Sequence, residues 1–238
     1  MSRAGSRHAS LDMIKWLAMA SMLLDHLRYL WPDSDWLFIV GRLAFPFFCL
    51  ALACNVARSL AGQFFTDANV RYLGWLMAFS ILSEVPYRWL AGASPTANVM
   101  PTLMLGLIVA WGVHHRTHES LLATGVTLLL ALAIQRHLMF GFFGVLLPAC
   151  FLAALYRPGV SWLLPAVACL LANSRNRWLL ETGGEPFSLL ILLASFGAPM
   201  LGLYLLRSPI HSRIWPVRRW GYYFYPLHLT LIHLIRLV

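Results

Sequence analysis

The sequence predicts an all-α protein, with residues 1–238 forming a single integral membrane domain folded as a polytopic transmembrane helix bundle of about nine spans. Three observations predict this class: 60% of the residues are hydrophobic, 11% are charged, and the mean hydropathy is +0.69. Soluble domains carry about 25% charged residues. The 238 residues leave room for about eight to ten spans, since each takes about 20 apolar residues and a short connection.

Nine apolar runs, divided by polar, glycine- or proline-rich and arginine-bearing points, predict nine helices. The fifth and seventh runs are short for a perpendicular span, so tilted or re-entrant helices, and a total of eight or ten, stay open. We expect the first run to stay in the mature protein, because Lys15, Asp25 and His26 interrupt it and no small-residue cleavage site follows. The runs lie at 11–31, 37–57, 71–91, 99–114, 120–134, 138–156, 160–173, 186–206 and 221–238.

The arginines favour a cytoplasmic N-terminus. In that orientation ten arginines lie on the cytoplasmic side and six on the other. The net charge of +9 would suggest a nucleic-acid partner in a soluble chain. Because these arginines stand at the ends of apolar runs, we interpret them as topology signals and expect a lipid bilayer and no nucleic acid. The ten are Arg3, Arg7, Arg58, Arg71, Arg116, Arg157, Arg207, Arg213, Arg218 and Arg219.

The four cysteines predict neither a disulfide framework nor a metal site. They lie within apolar runs without CxxC or Cys/His ligand spacing, so we interpret them as small core residues and expect no metal. The four are Cys49, Cys54, Cys150 and Cys169.

Ionisable side chains in the first two runs mark the candidate site. Asp25 and His26 stand side by side in an apolar segment, and Arg42 begins the second run. Such groups are costly in hydrocarbon and usually face a protein interior or a wet cavity. Neighbouring side chains point about 100° apart on a helix, so we expect Asp25 to contact Arg42 rather than to orient His26. A structural Asp25–Arg42 pair, with His26 hydrogen-bonded between helices, stays open as the alternative.

Further polar residues fall at the same depth. With a cytoplasmic N-terminus, Glu84 lies near the outer end of the third helix, and Asn98 and Thr102 open the fourth from that side. Polar residues that several helices place at one membrane depth can form a site between those helices. Pro46 adds a free backbone carbonyl, because it cannot donate the helical hydrogen bond that the Arg42 carbonyl would accept.

The last run combines aromatic side chains with a histidine. His228 lies about two turns into this helix, where an imidazole needs a polar partner. It is the alternative general base to His26. The preceding stretch, 207–219, carries four arginines and suits either phosphate groups or anionic lipid headgroups.

Short motifs occur in order along the chain: Leu11-Asp-Met-Ile-Lys15, Met22-Leu-Leu-Asp-His26, Gly41-Arg-Leu-Ala-Phe-Pro-Phe-Phe48, Ser83-Glu-Val-Pro86, Asn98 with Thr102-Leu103, Phe140-Gly-Phe-Phe-Gly-Val145 and Tyr225-Pro-Leu-His228. Together they resemble the TraX-type family of membrane proteins, typified by the acetylase of conjugative F-type pilin. The motifs in the first sixty residues are the most specific part of this resemblance. The later, shorter motifs extend it over most of the chain. The arginine-proline-phenylalanine and Tyr-Pro-x-His patterns are also similar, more distantly, to membrane acyltransferases that modify glycans.

The resemblance implies a bacterial inner-membrane enzyme that acetylates the N-terminal amine of a processed pilin or fimbrial subunit, with acetyl-CoA as donor. In that reaction His26 is expected to accept the amine proton and Arg42 to stabilise the oxyanion, with His228 as the alternative base. A covalent route through Cys49 or Cys54 is disfavoured, because neither has a base beside it. The catalytic candidates are His26, Asp25, Arg42 and His228, and the substrate- or donor-binding candidates are Lys15, Glu84, Asn98, Thr102, Tyr225, Arg213, Arg218 and Arg219.

Two other functions stay open: an acyltransferase for an envelope glycan or lipid, and a non-catalytic transporter or assembly partner whose buried charges form a proton path or a structural network. The pilin acetyltransferase function meets a physical difficulty. Acetyl-CoA is cytoplasmic, whereas this orientation places His26 and Arg42 toward the outside. Either the donor reaches in, with its phosphates at the basic stretch 207–219, or the topology is inverted.

Overall fold

The computed structural model describes residues 3–181, 184–210 and 214–237, and within them it contains eleven α-helices, one 3₁₀ turn at Val160–Trp162 and no β-strand. The predicted all-α class is therefore confirmed. The helices are α1 (Arg3–Leu27), α2 (Trp36–Gly41), α3 (Ala44–Ala57), α4 (Asp67–Ala91), α5 (Val99–His115), α6 (His118–Ala133), α7 (Gly141–Tyr156), α8 (Leu163–Asn173), α9 (Arg177–Glu181), α10 (Pro186–Arg207) and α11 (Trp220–Arg236).

Each of the nine predicted runs falls on helix, and the second is divided in two. The helix is interrupted at Arg42 and Leu43, between α2 and α3. Pro46 lies in the first turn of α3 and, having no N–H, leaves the Arg42 carbonyl without its helical donor. The sequence predicts the freed carbonyl but one continuous helix over 37–57, so the division into α2 and α3 is a correction, and it places Arg42 at a helix end.

Two helical segments in the described part of the chain are long and apolar enough to cross a membrane, Trp36–Ala57 and Pro186–Arg207. Other apolar segments have 10–17 residues. A helix of 16 residues, such as α6, spans about 24 Å, less than a hydrocarbon core of about 30 Å. The helical fold is established, whereas the count of nine membrane spans stays a prediction.

Large apolar side chains cover the outward faces of several helices. Leu122 and Leu129 of α6 are 62% and 71% exposed, and Leu193 of α10 is 67% exposed. Soluble proteins rarely expose contiguous apolar patches of this kind. These faces support a bundle surrounded by lipid.

Successive helices run back and forth between two ends of the bundle. At the N-terminal end, Lys15 Nζ of α1 donates to the Val217 carbonyl at 3.1 Å. At the opposite end, the Ala97 N–H donates to the His137 carbonyl at 2.9 Å. Four connections lie at the N-terminal end: 58–66, 116–117, 157–162 and the described part of 208–219. Four others lie at the opposite end: 28–35, 92–98, 134–140 and 174–176.

Helix α3 lies at the centre of the bundle, packed against α1, α5, α7 and α10. Its Phe47, Leu50 and Ala53 are fully buried. On α10, Gly202 permits the close approach, since a Cβ there would lie 3.0 Å from Leu50 Cδ2. Around this core, the last turns of α1 lie beside both α2 and α11, and the candidate site is built where these three helices meet.

Candidate active site between two cavities

The two histidines singled out in the sequence lie side by side. His26 Nδ1 is 2.7 Å from His228 Nε2, and the ring centroids are 4.9 Å apart and nearly parallel. Helices α1 and α11 supply one histidine each. The sequence left these residues as alternatives for one role, and the structure joins them in one hydrogen-bonded pair.

The partners of this pair assign its tautomers. His228 Nδ1 is 2.7 Å from the Phe224 carbonyl, which only accepts, so Nδ1 carries the proton. In a neutral imidazole the other nitrogen is then an acceptor. His228 Nε2 therefore accepts from His26 Nδ1–H, and the lone pair of His26 Nε2 stays free. Within the described residues, no hydrogen bond to that nitrogen is found.

Asp25 lies between two arginines. Its Oδ2 is 3.9 Å from Arg42 Nη2, and its Oδ1 is 3.4 Å from Arg28 Nε. The predicted contact between Asp25 and Arg42 is confirmed. Oδ1 and Arg28 Nε are buried without a hydrogen-bond partner in the described chain, so this pair is held by charge and proximity. Asp25 thus serves as a shared counter-charge for both guanidinium groups.

Arg42 is fixed by three further contacts. Its Nη1 donates to Asn173 Oδ1 at 2.8 Å, and its Nε donates to the Phe38 carbonyl at 3.2 Å. The guanidinium carbon also lies 3.8 Å from the centroid of the Phe38 ring. Asn173 is oriented in turn, since its Nδ2 donates to the Cys169 carbonyl at 2.8 Å. An arginine has five N–H donors, so Arg42 keeps donors for a ligand after making these bonds.

Gly41 allows α2 to approach α1 at this point. A Cβ on Gly41 would lie 2.5 Å from both Cβ and Cγ of Asp25, well inside van der Waals contact. The residue before Arg42 is therefore a glycine for steric reasons, and its small size sets the distance between Asp25 and Arg42.

Two cavities lie near the histidine pair, and His26 lines the first of them. The first, of about 420 Å³, is lined by His26 and by side chains at the opposite end of the bundle; we call it the arginine cavity. Its exposed Arg175 places it at the protein surface. Its polar and charged lining includes Asp25, Arg28, Arg42, Arg175, Tyr87 and Asn173.

The second cavity, of about 290 Å³, extends inward from Lys15 and Val217 at the N-terminal end to Val99 and Met100 at the start of α5, and we call it the tyrosine cavity. Apolar side chains form most of its wall, with Lys15 and the exposed Arg218 at its outer end. Lys15 is held there, because its Nζ donates to Asp12 Oδ1 at 3.0 Å. The aromatic polar side chains that line it are Tyr72, Tyr222 and Tyr225.

His26 lines the arginine cavity and lies close to residues that line the tyrosine cavity. Met22 lines the tyrosine cavity and precedes His26 by four residues, about 6 Å along a helix. The ring centroid of Tyr225, which also lines that cavity, is 6.5 Å from that of His26. The wall of the tyrosine cavity therefore comes within about one helical turn of His26.

Glu84 and Asn98 form a separate network at the opposite end. Asn98 Nδ2 donates to Glu84 Oε2 at 2.7 Å, and Arg88 Nε donates to Glu84 Oε1 at 2.7 Å. Arg88 also binds the Ser94 carbonyl at 2.5 Å, and Ser94 lines the arginine cavity. These residues brace the loop at the cavity, and neither Glu84 nor Asn98 lines it.

The remaining predicted binding residues lie in different places. Thr102 is fully buried beside Gly144, and its hydroxyl has no hydrogen-bond partner in the described structure. Arg219 lies with its guanidinium carbon 6.0 Å from the Trp75 ring centroid. Arg213 lies outside the described residues. The structure thus gathers Asp25, His26, Arg42 and His228 at one point, and Lys15, Tyr225 and Arg218 around the tyrosine cavity.

Sequence reasoning missed several residues of the site. Arg28 is two positions after His26, and this proximity could have placed it in the same cluster, whereas Arg175 lies in the connection 174–176 and gives no signal beyond its charge. Asn173, at the end of an apolar run, gave a weak signal. Its contact with Arg42 spans 131 positions and depends on how α8 packs.

Comparisons with known proteins give a family. The family model described as TraX protein matches residues 10–236. Protein TraX of Escherichia coli strain K12 is 29% identical over 154 residues, 53% of this chain and 55% of that protein. A second Protein TraX from Escherichia coli is 34% identical over 82 residues, 34% of this chain and 30% of that protein. The matches therefore span about half and under a third of these two relatives.

A third relative is similar along nearly its whole length. The probable fimbrial assembly protein FimC, serogroup H1, of Dichelobacter nodosus is 25% identical over 243 residues, 92% of each chain. No solved structure matches this chain.

Proposed function

The chain belongs to the TraX family, and from this premise we propose that it is an acetyl-CoA-dependent N-acetyltransferase of the bacterial inner membrane. Its acceptor is the N-terminal amine of a processed pilin or fimbrial subunit. The name of the Dichelobacter nodosus relative, a probable fimbrial assembly protein, supports this class of acceptor. The observation that carries the proposal is the His26–His228 pair, in which His26 lines the arginine cavity and lies 6.5 Å, between ring centroids, from Tyr225 in the wall of the tyrosine cavity.

His26 acts as the general base. The acceptor nitrogen attacks the thioester carbonyl carbon, forming the N–C bond, and its proton passes to the free lone pair of His26 Nε2. His228 holds His26 in the required tautomer by accepting from Nδ1. As the C–S bond breaks, the CoA sulfur leaves and takes the proton back from His26. The histidine pair is thereby returned to its starting state.

Arg42 stabilises the oxyanion of the tetrahedral intermediate. Its bonds to Asn173 and to the Phe38 carbonyl fix the guanidinium before the reaction. Donors held in place in this way need no reorganisation when charge develops, which is the main source of such stabilisation. Asp25 positions Arg42 by charge and does not touch the reacting atoms in this scheme.

The donor occupies the tyrosine cavity. Lys15 and Arg218 at its outer end suit the phosphates of CoA, and the apolar wall suits the pantetheine arm. Met22 and Tyr225 would then lie near the thioester, about one helical turn from the base. The acceptor enters the arginine cavity from the opposite end, so donor and acceptor approach from different sides. This arrangement removes the difficulty that a cytoplasmic donor poses for a site toward the outside.

The test compares cells with and without the gene, and cells carrying the inactive variant His26→Ala. Intact-mass spectrometry of surface pilin should show one acetyl group, about 42 Da, on the N-terminal fragment only when the wild-type gene is present. Envelope glycans and lipids are analysed from the same cells. An acetyl change on a glycan or lipid with unmodified pilin would replace the proposed acceptor. Unchanged masses of all three would contradict an acetyltransferase function.

A further inference from the structure

The arginine cavity has more positive than negative charge. Three arginines and one carboxylate line it: Arg28, Arg42, Arg175 and Asp25. With both imidazoles neutral, as in the assignment above, the histidine pair adds no charge. The described lining therefore has an excess of two positive charges. Arg28 and Arg42 share the single carboxylate, and the exposed Arg175 adds a positive charge at the surface, so the cavity is complementary to an anionic ligand.

The existing contacts leave this excess in place. Asp25 is shared between Arg28 and Arg42. Arg175 Nη1 donates to the Gln135 carbonyl at 2.7 Å, a neutral acceptor that does not cancel its charge. The oxyanion of the proposed reaction would neutralise one positive charge, at Arg42, during the reaction only. The positive charge of Arg175, at the outer part of the cavity, has no counter-charge in the described lining.

We infer that the acceptor carries a carboxylate within a few residues of its N-terminal amine, and that Arg175, assisted by Arg28, binds this carboxylate. This inference rests on the proposed function, since it names a property of the same acceptor. A guanidinium binds a carboxylate in a fork of two parallel hydrogen bonds, which gives direction as well as charge. A cavity of about 420 Å³ is in the size range of small-ligand sites, so the carboxylate must be near the reacting amine.

The same charges favour the reactive form of the amine. An ammonium group beside Arg42 and Arg28 is repelled, so the neutral amine is the form that enters near His26. A carboxylate farther along the peptide then supplies the attraction that the amine cannot. The cavity thus selects a chain with an uncharged, nucleophilic end and an acidic side chain shortly after it.

The experiment uses the full-length protein in nanodiscs of zwitterionic lipid, acetyl-CoA, and synthetic peptides that begin with alanine. Each peptide carries one aspartate at position 2, 3, 4 or 5 and is paired with a peptide that has asparagine there. Acetylation rates are measured by mass spectrometry, and the thermal unfolding temperature is measured with each peptide. We expect aspartate to raise kcat/KM at least about tenfold over asparagine at one or two positions. A larger thermal shift is expected at the same positions.

Arg175→Gln should remove the preference for aspartate, and Arg28→Gln should reduce it. Arg136→Gln, which removes an exposed charge at the same end of the bundle, should keep it. The preference is a ratio within one variant, so loss of folded protein does not affect it. Equal acetylation of both members of every pair would overturn the inference and leave the proposed function standing. If no peptide is acetylated, the proposed function fails, and the thermal shifts then decide the charge preference: equal shifts overturn it.

Discussion

His26 Nδ1 and His228 Nε2 lie 2.7 Å apart although the residues are 202 positions apart in the chain. Because His228 Nδ1 donates to the Phe224 carbonyl, the pair has a direction, with the free lone pair on His26. The two histidines therefore have different roles in the proposed reaction. One exchanges the proton with the substrate, and the other sets the tautomer of the first.

This asymmetry predicts unequal effects of replacing the two histidines. His26→Ala should lower kcat by about 10²–10⁴-fold, the usual contribution of a general base. His228→Ala should lower it less, by about 10–100-fold, which is typical for a residue that orients another. Steady-state acetylation rates of the purified variants, at equal protein amounts, provide the measurement. His233→Ala, on the same helix, is the matched control. Full activity of the His26 variant would remove it as the base, and a larger loss from His228→Ala would reverse the assigned roles.

Arg42→Lys should lower kcat by at least tenfold despite keeping the charge. Lysine lacks the planar fork, so it cannot bond Asn173 and the Phe38 carbonyl while directing further donors at the oxyanion. Loss of a fixed oxyanion donor costs about 10²–10³-fold in kcat. The amount of folded protein, from size-exclusion chromatography, should equal that of the control Arg136→Lys. Loss of folded protein instead would favour the purely structural Asp25–Arg42 pair.

Gly41→Ala should disrupt the site through Asp25. A Cβ at 2.5 Å from the Asp25 Cβ and Cγ forces α1 and α2 apart, and overpacking of this kind costs about 1–3 kcal/mol. We expect a lower thermal unfolding temperature and at least tenfold lower acetylation activity. The control is Gly125→Ala on α6, where a Cβ would meet no atom within 4 Å and where alanine favours helix. Equal unfolding temperatures for the Gly41 variant and the wild type would contradict the close packing.

The helices were largely predictable from the sequence, because apolar runs and their breaks are local properties. The interruption at Arg42 was not predicted, although Pro46, four residues later, explains it once it is seen. The number of membrane spans was not predictable from the sequence, because helices such as α6 are apolar but short. Whether a short helix crosses a bilayer depends on tilt and on its neighbours.

The site was predictable as a set of side chains and not as an arrangement. An imidazole or guanidinium is costly to place in hydrocarbon. The presence of such groups in apolar runs identified His26, Arg42 and His228 from the sequence. Their mutual contacts depend on the packing of α1, α2 and α11, and no single segment contains that information. The same limit explains why Glu84 and Asn98, at the expected depth, bond to each other and lie outside the lining of either cavity.

The two adjacent arginines before α11 should differ in their effect on the donor. Arg218 lines the tyrosine cavity, whereas Arg219 lies over the ring of Trp75. Arg218→Gln should therefore raise KM for acetyl-CoA about tenfold with little change in kcat, because contacts to phosphates remote from the reacting carbonyl supply uniform binding. Arg219→Gln should raise it less, and Arg157→Gln, an exposed charge at the same end, should leave it unchanged.

Kinetics in nanodiscs without anionic lipid separate donor binding from lipid contact in this comparison. If Arg218 binds lipid headgroups rather than CoA, its replacement will leave KM unchanged in these nanodiscs, because they contain no anionic headgroups. KM would then change only in nanodiscs that contain anionic lipid. Cysteine labelling of the C-terminus must first show that each variant keeps its orientation, because arginines also set topology. With orientation unchanged, an unaltered KM in Arg218→Gln would place the phosphates of the donor elsewhere than the outer end of the tyrosine cavity.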